Sequence, residues 1–333
     1  VGRDQELAET DKLMAGCRLL TLTGVGGAGK TRLSLQVAAD NIDEFHDGAW
    51  LVELAPVADP ELLPNTVAQV LGVKRQPERT ITDDLIAHLQ SRRLLLILDN
   101  CEHLTDAAAR LADQLLRHCA DLKILATSRE MLGVPGEVAY LVRSMATPDP
   151  DDVDPAGLRR FDAIRLFEER ASIVQPEFRV TADNAAAVAT VCRRLDGMPL
   201  AVELAAARVR VLTPAQIAGR LDDRFRLLTG GSRTVLPRQQ TLEAAIDWSY
   251  ELLDKPERLL FARLSVFAGG FTLEDAEQVC VDEDLDMIEI LDLVSHLADK
   301  SLVVVDADTS SGSRYRMLET LRQYAERKLA ASG

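Results

Sequence analysis

Gly24-Val25-Gly26-Gly27-Ala28-Gly29-Lys30-Thr31 has the form G-x-x-x-x-G-K-[ST]. Residues of these types in this order can grip a polyphosphate. A loop that wraps phosphates needs inward-pointing N–H groups and no side chains in the way, hence the glycines. A helix opening at Lys30 adds unpaired N–H groups and the positive end of its dipole. The Lys30 ammonium then reaches the β- and γ-phosphates, and the Thr31 hydroxyl binds Mg²⁺. Arg32, the next residue, is counted with the nucleotide-binding candidates.

A phosphate loop of this kind predicts an Asp at the end of a buried strand, holding the metal through water. Leu94-Leu95-Leu96-Ile97-Leu98 followed by Asp99 supplies it, about seventy residues downstream. The next residue is Asn100, where vigorous ATPases carry an acidic group to orient the attacking water. The nearest carboxylate is Glu102, so slow hydrolysis is expected. For Glu102 and His103, a catalytic role and a solvated helix start are both open. A further apolar run ends in Thr127-Ser128-Arg129. A cation at the carboxyl end of a strand points into the ligand crevice of an open α/β sheet. Arg129 is therefore a candidate γ-phosphate sensor, with a plain surface Arg as the alternative. Lys30, Asp99, Glu102 and Arg129 form the candidate catalytic set.

These residues need a frame. Apolar runs at 18–22, 49–54, 94–98, 123–126 and 138–142 read as strands. Helical periodicity fills 30–41, 61–71, 82–91 and 107–119 between them. Alternation of this kind predicts a parallel sheet with helices on both faces. The unbroken apolar run before Asp99 suits a central strand. A Pro- and Asp-rich stretch, 147–155, reads as a linker. Residues 161–228 are helical throughout, with spacings of three and four over 184–195 and 200–211. Gly230-Gly231-Ser232-Arg233-Thr234 reads as a second boundary. Helices at 257–267, 273–279 and 287–300, strands at 301–305 and 314–317, and a last helix at 318–329 outline a winged helix. The expectation is an α/β phosphate-binding domain over 1–147, an all-α domain over 156–229 and a winged helix over 231–333.

At 333 residues, two to three domains are expected. Aromatics are only 4%, so the cores rest on aliphatic side chains. The net charge of −15 opposes nucleic-acid binding, which is driven by Lys and Arg displacing counterions. The five cysteines, Cys17, Cys101, Cys119, Cys192 and Cys280, are widely spaced and form no Cys-x-x-Cys pair. They read as buried small hydrophobes in a reducing cytoplasm, not as a disulfide framework or zinc site. No apolar run has membrane-spanning length, and no signal peptide is evident. The chain starts at Val1 rather than Met, which predicts a fragment excised from something longer.

Val1-Gly2-Arg3, the phosphate loop, the run ending in Asp99-Asn100, Thr127-Ser128-Arg129 and Gly197-Met198-Pro199-Leu200 occur in that order. The series resembles a STAND-type signalling NTPase of the NB-ARC class. Asp99-Asn100-Cys101-Glu102-His103, the run from Gln240 to Tyr250, and Tyr315-Arg316-Met317-Leu318-Glu319 resemble more closely the ATPase core of the Streptomyces antibiotic regulatory proteins and LuxR-like ATPases. The resemblance implies ATP or ADP with Mg²⁺ as ligand, backbone near Val1, Gly2 and Arg3 framing the adenine, and Pro199 packing on the base. An ordinary helix break is the other reading of 197–199. It also implies a covalently linked effector that binds DNA and a helical-repeat sensor, neither within these residues, and ATP-driven self-association. Many relatives carry Met-His-Asp where this chain has Met317, Leu318 and Glu319. Leucine cannot donate a hydrogen bond to an ADP phosphate. Arg322 and Arg238 are candidate substitutes.

The guanine-reading Asn-Lys-x-Asp motif and the transporter signature Leu-Ser-Gly-Gly-Gln are absent from the sequence. Residues 256–333 hold eight Lys or Arg against fifteen Asp or Glu, a net of −7. The helix that would enter a DNA groove carries Glu289, Asp292 and Asp299, so the winged helix is expected not to bind DNA directly. Two readings remain: a slowly hydrolysing molecular switch, and a motor-like AAA+ ATPase. Asn100 favours the switch.

Overall fold

The computed structural model describes residues 2–149, 155–221, 242–306 and 313–332. Val1, most of the linker, the Gly230–Thr234 loop, Arg238 and most of the polar turn after residue 305 lie outside the described residues. Two compact units divide the chain. One comprises Arg3–Gly24 and Gly29–Val142; the other holds Gly2, Val25–Ala28 and the described residues from Arg143 onward.

The first unit is built on β1 (Leu19–Thr23), β2 (Ala49–Glu53), β3 (Leu95–Asp99), β4 (Lys123–Thr127) and β5 (Glu137–Leu141), all parallel, in the order β2-β3-β4-β1-β5. Helices α1 (Asp4–Gly16), α2 (Lys30–Asp40), α3 (Leu63–Val70), α4 (Ile81–Leu89) and α5 (Thr105–His118) flank it. Every residue of β1 and β3 is buried, as expected for strands covered on both faces, whereas β5 at the sheet's edge is half exposed. Helix α5 buries Ala108, Leu111, Ala112 and Leu115, a three-and-four spacing that joins the core formed by Leu96, Leu98 and Ile124. The helix expected over 61–71 begins instead as a 3-10 turn, Pro60–Leu62. Asp59 caps that turn through the Glu61 N–H.

β1 and β3 are not neighbours, because β4 lies between them. The Ser128 N–H beyond β4 donates to the Leu22 carbonyl at 3.1 Å, tying together the carboxyl ends of β1 and β4. Sequence order therefore reverses on either side of β1, the place where open α/β sheets bind ligands.

In the second unit, after the short helix Pro155–Leu158, come α6 (Asp162–Val174), α7 (Ala185–Arg194) and α8 (Pro199–Ala207), followed by the short helix Pro214–Ala218. Next come α9 (Leu242–Glu251), α10 (Lys255–Arg263), α11 (Leu273–Cys280), α12 (Met287–Asp299), the antiparallel hairpin β6 (Val304–Asp306) with β7 (Arg314–Arg316), and α13 (Glu319–Ser332). Reciprocal capping boxes start α10, α11 and α12: Asp254 with Glu257, Thr272 with Asp275, and Asp286 with Glu289. Each satisfies two otherwise orphaned N–H groups, which is why the helices begin where they do. Phe271 and Tyr315 exchange backbone hydrogen bonds at 2.8 Å and stack their rings, anchoring the hairpin. α7, the turn after it and α13 are linked by one side chain. Asp196 Oδ2 accepts from both the N–H and the hydroxyl of Thr320 at 3.0 Å. Among the described residues no helix is long and apolar enough to cross a membrane.

Candidate nucleotide site

The phosphate loop leaves β1 at Gly24 and enters α2 with Gly29 as N-cap, at φ +93°. Lys30 is buried, and its ammonium donates to the Gly24 carbonyl at 2.7 Å. The charge is thus held back over the loop that would wrap the phosphates. Thr31 Oγ1 donates to Asp99 Oδ1 at 2.7 Å. The two residues assigned to the metal from sequence are therefore in contact, 68 positions apart in the chain.

Asp99 closes β3 and is buried. The same Oδ1 also accepts from Thr127 Oγ1 at 2.7 Å, and Thr127 Oγ1 accepts the Asn100 N–H at 2.9 Å. In the sequence Thr127 stands only as the residue two before Arg129. The structure makes it the residue that orients Asp99. Its signal was a hydroxyl at the end of a strand beside the Asp strand.

Asn100 adopts a left-handed conformation, φ +69°. Such a conformation in a residue other than glycine is uncommon, and Asn tolerates it better than most. His103 Nε2 lies 2.9 Å from the Val57 carbonyl and Nδ1 lies 3.4 Å from Asn100 Nδ2. Both contacts are satisfied together when Nε2 carries the proton and Nδ1 accepts.

Glu102 is not a solvated helix start. It lies in the 3-10 turn Cys101–His103 with a side chain only 7% exposed, and its Oε1 is 3.5 Å from Arg129 Nε. Arg129 is 4% exposed, so it is not a surface Arg either. The structure brings these two residues together beyond the ends of β3 and β4. Cys101 is fully buried; burial first, then the Glu102 and Asp99 charges, hold its thiol well above the usual range. Cys119, Cys192 and Cys280 are also buried, and Cys17 is half-buried. Such thiols pack and do not react.

Arg3 is buried in the first unit and paired with Glu6. Arg32 is exposed on α2. Gly2 lies in the second unit, where a Cβ would meet the Asp162 carboxyl. In that same unit Pro199 is the buried first residue of α8, and the Leu200 N–H donates to the Gly27 carbonyl at 3.2 Å. At Gly27 (φ +84°) an added Cβ would come within 3.0 Å of Leu200 Cβ. Leu318, at the expected histidine position, is buried. Arg322 is taken up by Glu319 at 2.8 and 2.9 Å, Glu326 and the Ser265 carbonyl.

The donor set fits Mg²⁺ in its usual mode. That ion takes one or two protein oxygens and completes its shell with phosphate oxygens and water. Thr31 Oγ1 and Asp99 Oδ1 are hard oxygens already in contact. Among the described residues no cluster of three or more His, Cys, Asp or Glu could hold a metal without such help.

The family model for an AAA domain matches residues 13–134, and that for a winged helix-turn-helix domain matches residues 253–330. A supposed HTH-type transcriptional regulator of Mycobacterium tuberculosis is 49% identical over 321 residues, 96% of this chain and 35% of that protein. The chain thus spans about a third of that relative's length. A second, uncharacterized protein of the same organism is 43% identical over 334 residues, covering all of this chain and 82% of its own length. Among solved structures, a Walker-type ATPase of Pyrococcus abyssi aligns over 98% of this chain and 95% of its own, with a TM-score of 0.61 at 11% identity. That likeness is one of fold alone. Taken together, these matches establish that the chain belongs to the same family as these mycobacterial relatives, with a P-loop AAA-type domain followed by a C-terminal winged helix-turn-helix domain.

Proposed function

We propose that the chain is an ATP-binding, slowly hydrolysing signalling switch that controls a transcription regulator by changing its domain arrangement or self-association with nucleotide state. The observation that carries this reading is the contact of Thr31 with Asp99 beside a buried Lys30 held on the loop's own carbonyl. An arriving triphosphate replaces that carbonyl as the ammonium's partner. The loop amides of Gly24–Thr31 bind its oxygens, and Thr31, with Asp99 through water, holds Mg²⁺, which offsets phosphate charge. Arg129 senses the γ-phosphate. Slow turnover follows from Asn100, an amide that can position a water but cannot take its proton.

The switch reading draws support from the second unit. The Leu200 N–H rests on Gly27 of the phosphate loop, and Asp196 of the same turn caps α13. Movement of the loop around a phosphate is thereby coupled to the winged helix. The nucleotide-binding, helical and winged-helix divisions at 1–147, 156–229 and 231–333 are the units we assign to that movement. Gly2, Arg3 and Pro199 are assigned to the adenine.

We assign DNA contact to a linked effector domain and signal reception to a linked helical-repeat sensor, in the cytoplasm. The exposed face of α12 supports this division. Met287, Ile288 and Leu291 are exposed there beside Glu289, Asp292 and Asp299, and the following Lys300 is bonded to Glu257. A face without exposed cations is poorly suited to phosphates.

Calorimetry with ATP and ADP, followed by turnover, tests the reading. Binding with hydrolysis below about one per second is expected, against a typical enzyme median of ~10 s⁻¹. Turnover near that median supports the motor-like reading. No binding at millimolar nucleotide with Mg²⁺ overturns both.

A further inference from the structure

The Glu102 carboxylate is buried and only half satisfied. Oε1 faces Arg129 Nε at 3.5 Å, an ion pair in which that N–H does not reach hydrogen-bond geometry, while Oε2 is buried with no hydrogen-bond partner. Leaving a carboxylate oxygen bare in the interior is costly, and such exceptions cluster where a ligand or water completes the set. The position is informative. Glu102 follows Asp99 by three residues beyond β3, and Arg129 follows Thr127 by two beyond the adjacent β4. Thr127 is the residue that orients Asp99. The pair therefore follows directly on the two neighbouring strand ends that carry Asp99 and Thr127.

We propose that Glu102 and Arg129 form a latch operated by the γ-phosphate. This rests on the nucleotide-switch reading above and adds its regulation. Without a γ-phosphate, Arg129 holds the Glu102 carboxylate. A γ-phosphate competes for the same guanidinium, because both ligands are anions and a desolvated guanidinium binds either strongly. Once Arg129 turns to the phosphate, Glu102 is an unpaired carboxylate that accepts a hydrogen bond from the attacking water through Oε2. The water oxygen bonds to the γ-phosphorus as the bond from that phosphorus to the β,γ-bridging oxygen breaks. The bridging oxygen leaves on ADP. Glu102 takes the water proton and passes it to the released phosphate. ADP offers no γ-phosphate and leaves the latch closed, so the two nucleotides are told apart by one ion pair.

The test compares Glu102→Gln with the unaltered chain, titrating Mg²⁺ with ATP-γ-S and with ADP in a calorimeter. The amide removes the competing charge at nearly constant shape. The latch requires ATP-γ-S to bind roughly tenfold tighter in the variant, about the worth of one charge-assisted contact, while ADP binding is unchanged. If Glu102 instead serves only to orient Arg129, ATP-γ-S binds more weakly in the variant. If it is merely structural, both nucleotides shift together. Either result overturns the latch and leaves the switch reading standing. A measurement on the unaltered protein covers the case of a variant that fails to fold. The arginine Nε–H resonance of Arg129, followed by NMR, must move on adding ATP-γ-S and stay put on adding ADP. An identical response to both overturns the latch, and binding of neither nucleotide overturns the latch and the switch together.

Discussion

Thr31 Oγ1 and Asp99 Oδ1 meet at 2.7 Å, so the phosphate loop and the end of β3 are joined without any nucleotide. Oδ1 also takes the Thr127 hydroxyl, which fixes the carboxylate and leaves Oδ2 for other partners. Asp99→Asn keeps an acceptor oxygen for both threonines and removes only the charge. The fold should therefore survive, and the benefit of Mg²⁺ to ATP binding should vanish. Dissociation constants with Mg²⁺ and with a chelator are the measurement. A variant whose affinity still rises with Mg²⁺ contradicts the assignment of Asp99 to the metal.

Lys30→Ala removes a buried ammonium that donates to the Gly24 carbonyl of the loop. Charge-assisted hydrogen bonds contribute about 1.5–3 kcal/mol each, so ATP affinity should fall by roughly ten- to a hundredfold. The melting temperature of the variant without nucleotide shows whether the fold is kept. The ATP-induced rise in melting temperature should shrink in step with affinity. An equal ATP-induced rise in the variant and the unaltered protein counts against Lys30 as the phosphate ligand.

Beside its buried aromatics Phe261, Phe271 and Tyr324, the winged helix also buries a charge. Glu257 is 2% exposed, and its two oxygens take Lys300 Nζ at 2.6 and 2.7 Å, while Oε2 also accepts the Asp254 N–H at 2.9 Å. Glu257→Ala strands the ammonium and opens the capping box, and should cost about 2–4 kcal/mol. Lys300→Met in the same chain should recover part of that loss, since an apolar pair tolerates burial better than one unpaired charge. Denaturant midpoints of the three proteins test this. A double variant less stable than Glu257→Ala alone refutes the account.

The fold was largely legible because its signals are local. The all-buried run of β3 and the amphipathic spacing of α5 each reside in one stretch of sequence. The phosphate loop was legible for the same reason. What escaped was contact between distant positions. Thr127 is quoted in the sequence beside Arg129, yet nothing local says that its hydroxyl reaches Asp99, 28 positions earlier. Glu102 read equally well as a solvated residue, because only the fold decides that β4 places Arg129 against it. Asp196 gave no signal, since its partner lies 124 positions away on α13.

Gly197 separates Asp196 from the Met198-Pro199 start of α8 and sits at φ +61°. A Cβ there would lie 2.0 Å from the Met145 carbonyl oxygen, whose own residue donates its N–H to the Gly197 carbonyl at 2.9 Å. Backbone cannot yield as a side-chain tip does. Gly197→Ala should therefore exceed the ~1–2 kcal/mol expected for left-handed geometry alone. A loss below 1 kcal/mol by chemical denaturation contradicts the close approach.

Asp196 tests the coupling that the switch needs. Its Oδ2 takes two hydrogen bonds from Thr320 at the start of α13, where the first N–H groups of a helix lack internal partners. Replacing an N-terminal capping carboxylate by Ala costs about 0.5–2 kcal/mol. In Asp196→Ala that loss should fall on α13 and leave the sheet of the first unit as it was. Amide hydrogen exchange reads the two regions separately. Faster exchange in residues 319–332 with unchanged exchange in β1 and β3 is the expected pattern. The same variant should also blunt any difference in α13 protection between the ATP- and ADP-bound protein, because the turn that carries Leu200 onto Gly27 would no longer hold the helix. Undiminished nucleotide-dependent protection of α13 in the variant removes Asp196 from the path between loop and winged helix.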